Sequence, residues 1–117
     1  MGKLTTHVLD TANGCPGAGM RVVLQRVHAT HTDTLQTLTL NHDGRADQPL
    51  LEGPALQRGC YRLLFSVSAY FRLRGQDLAD PPFIDEVPLD FGIADPSLHY
   101  HVPLLVSPWS YSTYRGS

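Results

Sequence analysis

Polar and apolar residues alternate along much of this chain, a period of two that predicts strands, while the spacing of an amphipathic helix is rare. The stretch LTTHVLD (Leu4–Asp10) is rich in β-branched residues and stops at TANGCPGAG, a run of turn formers. MRVVLQRVHA (Met20–Ala29) and TLQTLTL (Thr34–Leu40) read as two further strands. The second is closed by NHDG, whose Asp-Gly step is a strong turn signal. RADQPLL offers a short strand limited by Pro49. CYRLLFSVSAYF (Cys60–Phe71) is the clearest strand, with Tyr61, Leu63, Phe65, Val67 and Ala69 on one face. FIDEVPLDFGI adds another, and LHYHVPLLVS and SYSTYRG flank SPW as the arms of a hairpin would. RLRGQDLADPPF (Arg72–Phe83) is the one segment that suggests a helix, kept short by Pro81 and Pro82. Seven to eight short strands, one short helix and no repeat or linker predict an all-β antiparallel β-sandwich, residues 1–117 forming a single domain.

Composition narrows the partners. A chain of 117 residues with 42% hydrophobic and 17% charged residues is globular in character and can bury roughly two-thirds of its unfolded surface. The net charge of −2 supplies neither a basic footprint for nucleic acid nor a polybasic patch for an anionic membrane. A small ligand or another protein is the expected partner. Cys15 and Cys60 lie outside any CxxC motif, and MGKLTTHVLD lacks a long apolar run. These features lead us to expect a soluble cytoplasmic protein with free thiols.

The candidate chemistry lies with six histidines. His28 and His31, in VHATHTD, read as solvated loop residues, and His42 as a turn residue. His99 and His101 share a strand face and could hold a metal, although no Cys, Asp or Glu on that strand completes a site. His7 interrupts a β-branched strand where Val or Ile would be expected; it is either a hydrogen-bonded sheet histidine or a functional one. Arg45 follows the Asp43-Gly44 turn and, alone, would be an ordinary exposed arginine. No GxSxG elbow, GxGxxG or P-loop is present.

The tail SYSTYRGS is also informative. As a strand it sends Ser110, Ser112 and Tyr114 one way and Trp109, Tyr111, Thr113 and Arg115 the other. Such a strand would be an edge in search of a partner, a second subunit being the obvious one.

Taken together, LTTHVLDTANGCPG, the Asp43-Gly44-Arg45 triplet and HYHVPLLVSPWSYSTYRGS resemble the transthyretin-related family, and within it the 5-hydroxyisourate hydrolases. The similarity covers nearly the whole chain, and the closing Tyr-Arg-Gly-Ser is its most specific element. Cys15-Pro16-Gly17 departs from the family's usual non-Cys residue followed by Pro-Ala, in a loop.

The resemblance implies a transthyretin-like sandwich assembled as a homotetramer, a dimer of dimers with ligand sites at a subunit interface. It implies hydrolysis of 5-hydroxyisourate to 2-oxo-4-hydroxy-4-carboxy-5-ureidoimidazoline, without metal or organic cofactor. Carried over by position, His7, Arg45 and His101 would be catalytic, and Tyr114, Arg115, Gly116 and Ser117 would bind substrate. A non-catalytic transthyretin-like carrier of a small ligand is the alternative. A guanidinium about 5 Å from an imidazole, at an effective dielectric near 20, opposes its protonation by roughly 3 kcal/mol before screening. Arg45 would thus keep a nearby histidine basic.

Overall fold

The computed structural model describes residues 1–117. Nine strands appear: β1 (Lys3–Asp10), β2 (Cys15–Pro16), β3 (Arg21–Val27), β4 (Thr32–Thr39), β5 (Leu51–Glu52), β6 (Gly59–Ser66), β7 (Glu86–Ile93), β8 (Tyr100–Val106) and β9 (Tyr111–Ser112). A three-residue 3₁₀ turn spans Gly53–Ala55, and the single α-helix, α1, spans Val67–Leu73. The strands form two sheets. One runs β2-β1-β8-β9 with β5 also on β1, and the other runs β4-β3-β6-β7. This is the expected sandwich, and nine strands exceed the predicted number because three of them are only two residues long. Pairing is antiparallel except between β1 and β8, which run parallel from Leu4 beside Tyr100 to Asp10 beside Val106.

Alternation dictates which residues fill the space between the sheets. Leu4 and Val8 of β1 face inward with Tyr100, Val102, Leu104 and Val106 of β8. They meet Val22 and Leu24 of β3, Tyr61, Leu63 and Phe65 of β6, and Val87, Leu89 and Ile93 of β7 in one cluster of 22 buried apolar residues. The other face of β1 and β8 carries Thr5, His7, His101 and Pro103, and that face concerns function. Strand β4 is almost wholly exposed, as befits a polar edge strand.

The helix lies earlier than the alternation predicts. Strand β6 ends at Ser66, and the residues read as its continuation form α1. Val67, Tyr70 and Phe71 are all buried, the i, i+3, i+4 stripe of a helix, whereas a strand cannot bury neighbours such as Tyr70 and Phe71 on one face. The Arg74-Gly75 step is the helix stop. Gly75, at φ +86°, donates to Arg72 at 3.0 Å and Gln76 donates to Phe71 at 3.0 Å, the two bonds of a Schellman cap. The segment from Gln76 to Asp85 therefore contains no helix.

A buried polar group ties α1 to β1. Asp10, 1% exposed, accepts from the Tyr70 hydroxyl at 2.7 Å and from the backbone and side-chain nitrogens of Asn13 at 2.9 and 2.7 Å. Burial alone would raise its pKa, but these bonds to the charged form win and hold the carboxyl below its ordinary range.

Candidate active site

Three short segments share the edge of β1 that β8 leaves free: Cys15–Pro16, Arg45 and Leu51–Glu52. Arg45 bridges His7 in the middle of this edge. The loop Asn41–Arg45 puts it there by satisfying its own backbone. The Asn41 side-chain oxygen accepts from the Asp43 and Arg45 amides at 2.9 and 3.2 Å, and the Asn41 amide donates to the Arg45 carbonyl at 2.8 Å. Gly44, at φ +73°, passes so close to β1 that a Cβ would lie 2.5 Å from the Val8 carbonyl. Its own carbonyl accepts from the Val8 amide at 2.9 Å. Only glycine fits there, so the middle residue of DGR is a geometric requirement.

His7 and His101 both project from the outer face of the sheet, half-buried, from strands that are neighbours. His101 lies beside Thr5, and its Nδ1 is 2.8 Å from the Thr5 hydroxyl. Whichever atom carries the proton, this bond sets the plane of the ring and leaves Nε2 as the nitrogen that can meet a ligand.

Both imidazoles have pKa values below the ordinary histidine value of 6.5. For His7, burial is the larger cause and the Arg45 charge the next, with the Asp43 backbone and carboxylate pulling the other way. For His101, burial again leads, followed by Arg45 and then by His7. Arg45 thus acts on both rings, and the rings act on each other. None of the five ion pairs in the structure engages Arg45, which leaves an exposed guanidinium beside two neutral imidazoles. That arrangement can bind an anion and move protons beside it.

The four tail residues are placed differently in the single chain. Gly116 exchanges two backbone hydrogen bonds with His101, at 2.7 and 3.2 Å. A Cβ on Gly116 would come within 3.0 Å of the His101 Cβ and 3.1 Å of its ring, so glycine here makes room for the imidazole. Arg115 turns elsewhere: its guanidinium lies 4.6 Å from the centre of the Tyr100 ring and donates to the His99 carbonyl at 3.2 Å. It clamps the tail and does not face the histidines. Tyr114 is exposed and, with Thr113 and Arg115, borders a cavity of about 310 Å³ over Leu89, Phe91, Tyr100 and Val102. Ser117, the last residue, is exposed.

The expected continuous tail strand is also interrupted. Pairing at Leu105–Ser112 and at His101–Gly116 would place Tyr114 opposite Pro103. Proline has no N–H to give, and the ladder breaks there. The Thr113 hydroxyl takes over, donating to the Pro103 carbonyl at 2.7 Å.

His99 precedes β8 and is exposed, so His99 and His101 do not share one strand as the alternation implies. The three-membered group of metal-type ligands that does form is His28, His31 and Asp33. A threonine in a strand is what β propensity leads one to expect, so the sequence by itself does not single out Thr5.

No cavity of the single chain includes His7 or His101; one of about 160 Å³ lies alongside, lined by Thr5, Thr6 and the segment Arg45–Pro49. The candidate site is an open face.

A sequence profile described as HIUase/Transthyretin family matches residues 4–116. The chain belongs to the HIUase/Transthyretin family. A relative in Ralstonia nicotianae, called 5-hydroxyisourate hydrolase, is 57% identical over 117 residues, covering 100% of both chains. Among solved structures, (S)-allantoin synthase superposes with a TM-score of 0.94 at 47% identity, covering 99% of this chain and 44% of that longer one. The 5-hydroxyisourate hydrolase of Klebsiella pneumoniae superposes with a TM-score of 0.82 at 34% identity, covering 100% of both chains. The two-sheet sandwich and its single short helix are therefore the family's fold, as the resemblance implied.

Proposed function

We propose that this family member is a 5-hydroxyisourate hydrolase of purine catabolism, with His7, Arg45 and His101 as its catalytic residues. The observation that carries this reading is the meeting of two imidazoles and an unpaired guanidinium on one outer face, each within electrostatic reach of the others. The names of its full-length relatives supply the substrate.

The reaction follows from the charges. Arg45 holds the anionic, purine-derived ring and later the oxyanion that forms when water attacks a cyclic amide carbonyl. One neutral imidazole takes a proton from that water. The proton it has taken is then delivered, relayed through the second ring, to the nitrogen as the ring C–N bond breaks. Thr5 is a positioning residue, holding the His101 ring so that Nε2 meets substrate. Gly116 gives that ring space, and to Ser117, exposed next to it, we assign a hydrogen bond to the substrate. No metal is required by this sequence of steps.

An open face does not exclude water, so we assign its closure to other copies of the chain in a homotetramer, a dimer of dimers. Leu9, Trp109, Tyr111 and Tyr114 support this, since 37–61% of each is exposed in one chain. The reaction's place in the cytoplasm is part of the same proposal.

Deletion of Tyr114–Ser117 tests the reading. It removes the Gly116 bridge that seats His101, and turnover of freshly generated 5-hydroxyisourate should fall at least about 100-fold. Near-normal turnover by a truncated chain with an unchanged circular dichroism spectrum would refute it.

A further inference from the structure

The tip of the β3–β4 hairpin, separate from the proposed hydrolytic site, holds a cluster that the hydrolysis does not use. His28 and His31 flank the two-residue turn Ala29-Thr30, and the His28 amide donates to the His31 carbonyl at 2.8 Å, which places the two residues opposite each other. Asp33 pairs with Arg26 in the same ladder, so the alternation brings His28, His31, Asp33 and Arg26 to one face.

The rings of His28 and His31 stack, with centroids 4.5 Å apart and planes 18° from parallel. Asp33 reaches both: its oxygens lie 2.9 Å from His28 Nε2 and 3.7 Å from His31 Nε2. Donor atoms of all three residues fall within 4.8 Å of one another. In a tetrahedral zinc site with bonds of 2.0–2.2 Å, ligand atoms are separated by about 3.4 Å. All three side chains are exposed, and turning about χ1 and χ2 both closes that distance and tilts the stacked rings until their Nε2 lone pairs converge.

Two neighbouring contacts favour a cation here. The Thr30 hydroxyl lies 3.3 Å from His31 Nδ1, an outer-shell bond that holds the ring and leaves Nε2 for a metal. Arg26, the one cation on this face, is drawn away. It donates to the Gln57 side chain at 2.7 Å and to the Arg58 carbonyl at 2.9 Å, and lies over the Tyr61 ring.

We propose that this hairpin tip binds a zinc ion through His28 Nε2, His31 Nε2 and the Asp33 carboxylate, water filling the remaining position. Two imidazoles and one carboxylate suit zinc and leave one coordination position open to a donor from another molecule.

Zinc chloride titrated into the wild-type chain, followed by long-range ¹H–¹⁵N spectra of the histidine rings, tests the assignment. The ring nitrogens of His28 and His31 should shift together at substoichiometric zinc. His31→Ala and Asp33→Asn should each weaken that binding at least about tenfold, while both variants hydrolyse 5-hydroxyisourate as the wild type does. Shifts confined to His7 and His101, or zinc affinity within twofold of wild type in both variants, would overturn it. Loss of hydrolysis in other variants bears on the separate reading above and leaves this one untouched.

Discussion

A lone histidine in a strand core, as at position 7, carries little information until its neighbours are known. What changes its meaning is Arg45, delivered to the adjacent edge by a loop that only Gly44 can turn. The motif DGR was legible in the sequence, and so was the pair His7 and His101. Thr5 was not, because its significance is a single 2.8 Å contact across two strands 96 residues apart in sequence. Nor was the leading cause of the lowered histidine pKa values, which is burial first and Arg45 second. At this scale the pH profile is the sensitive readout. Both imidazoles keep their neutral form to a lower pH than an ordinary histidine does, so the acid limb of kcat/KM should lie below 6.5. Arg45→Met, measured on whatever residual activity remains, should move the acid limb up towards 6.5; an unmoved limb would show that Arg45 does not tune the histidines. The same shifts carry a stability sign. The unfolded chain gains protons near 6.5 that the folded chain takes up only at lower pH. Stability is therefore lost as the pH falls from 6.5 through the folded values, and His7→Gln should reduce that loss in urea titrations at several pH values.

Periodicity located the strands well wherever one face was buried, as in β1, β3 and β8. It misplaced α1 because Val67, Ala69 and Phe71 satisfy a period of two just as Val67, Tyr70 and Phe71 satisfy a helix. Burial of both Tyr70 and Phe71 decides for the helix, and Gly75 ends it. The tail strand was legible at its ends and not in its middle, where Pro103 withholds the N–H that the ladder needs. Two substitutions separate the roles of these elements. Tyr70→Phe removes a hydrogen bond to the charged, buried Asp10 and should cost about 1.5–3 kcal/mol of stability, read by urea denaturation, with kcat little changed. Gly116→Ala should weigh mainly on the reaction, lowering kcat by displacing the His101 ring against which its Cβ would press.

The molecule as a whole is a sandwich whose inner faces are committed to stability and whose outer face, on β1 and β8, carries reactive side chains with no roof. The sequence singles out the candidate residues but not the roof, because closure depends on surfaces that single-chain alternation does not describe. Exposed Leu9 on that face, and Trp109, Tyr111 and Tyr114 on the tail, predict self-association, and native mass spectrometry should find about four times the 12.9 kDa chain mass. A stable monomer at micromolar concentration would contradict the closed-site account. The most direct measurement is the decay of 5-hydroxyisourate absorbance after urate oxidase treatment, with wild type set beside His7→Ala, Arg45→Ala and His101→Ala. The account predicts rapid decay with wild type and losses of about 100-fold or more in each variant. Decay with wild type no faster than the spontaneous reaction, or variants indistinguishable from wild type, would contradict it.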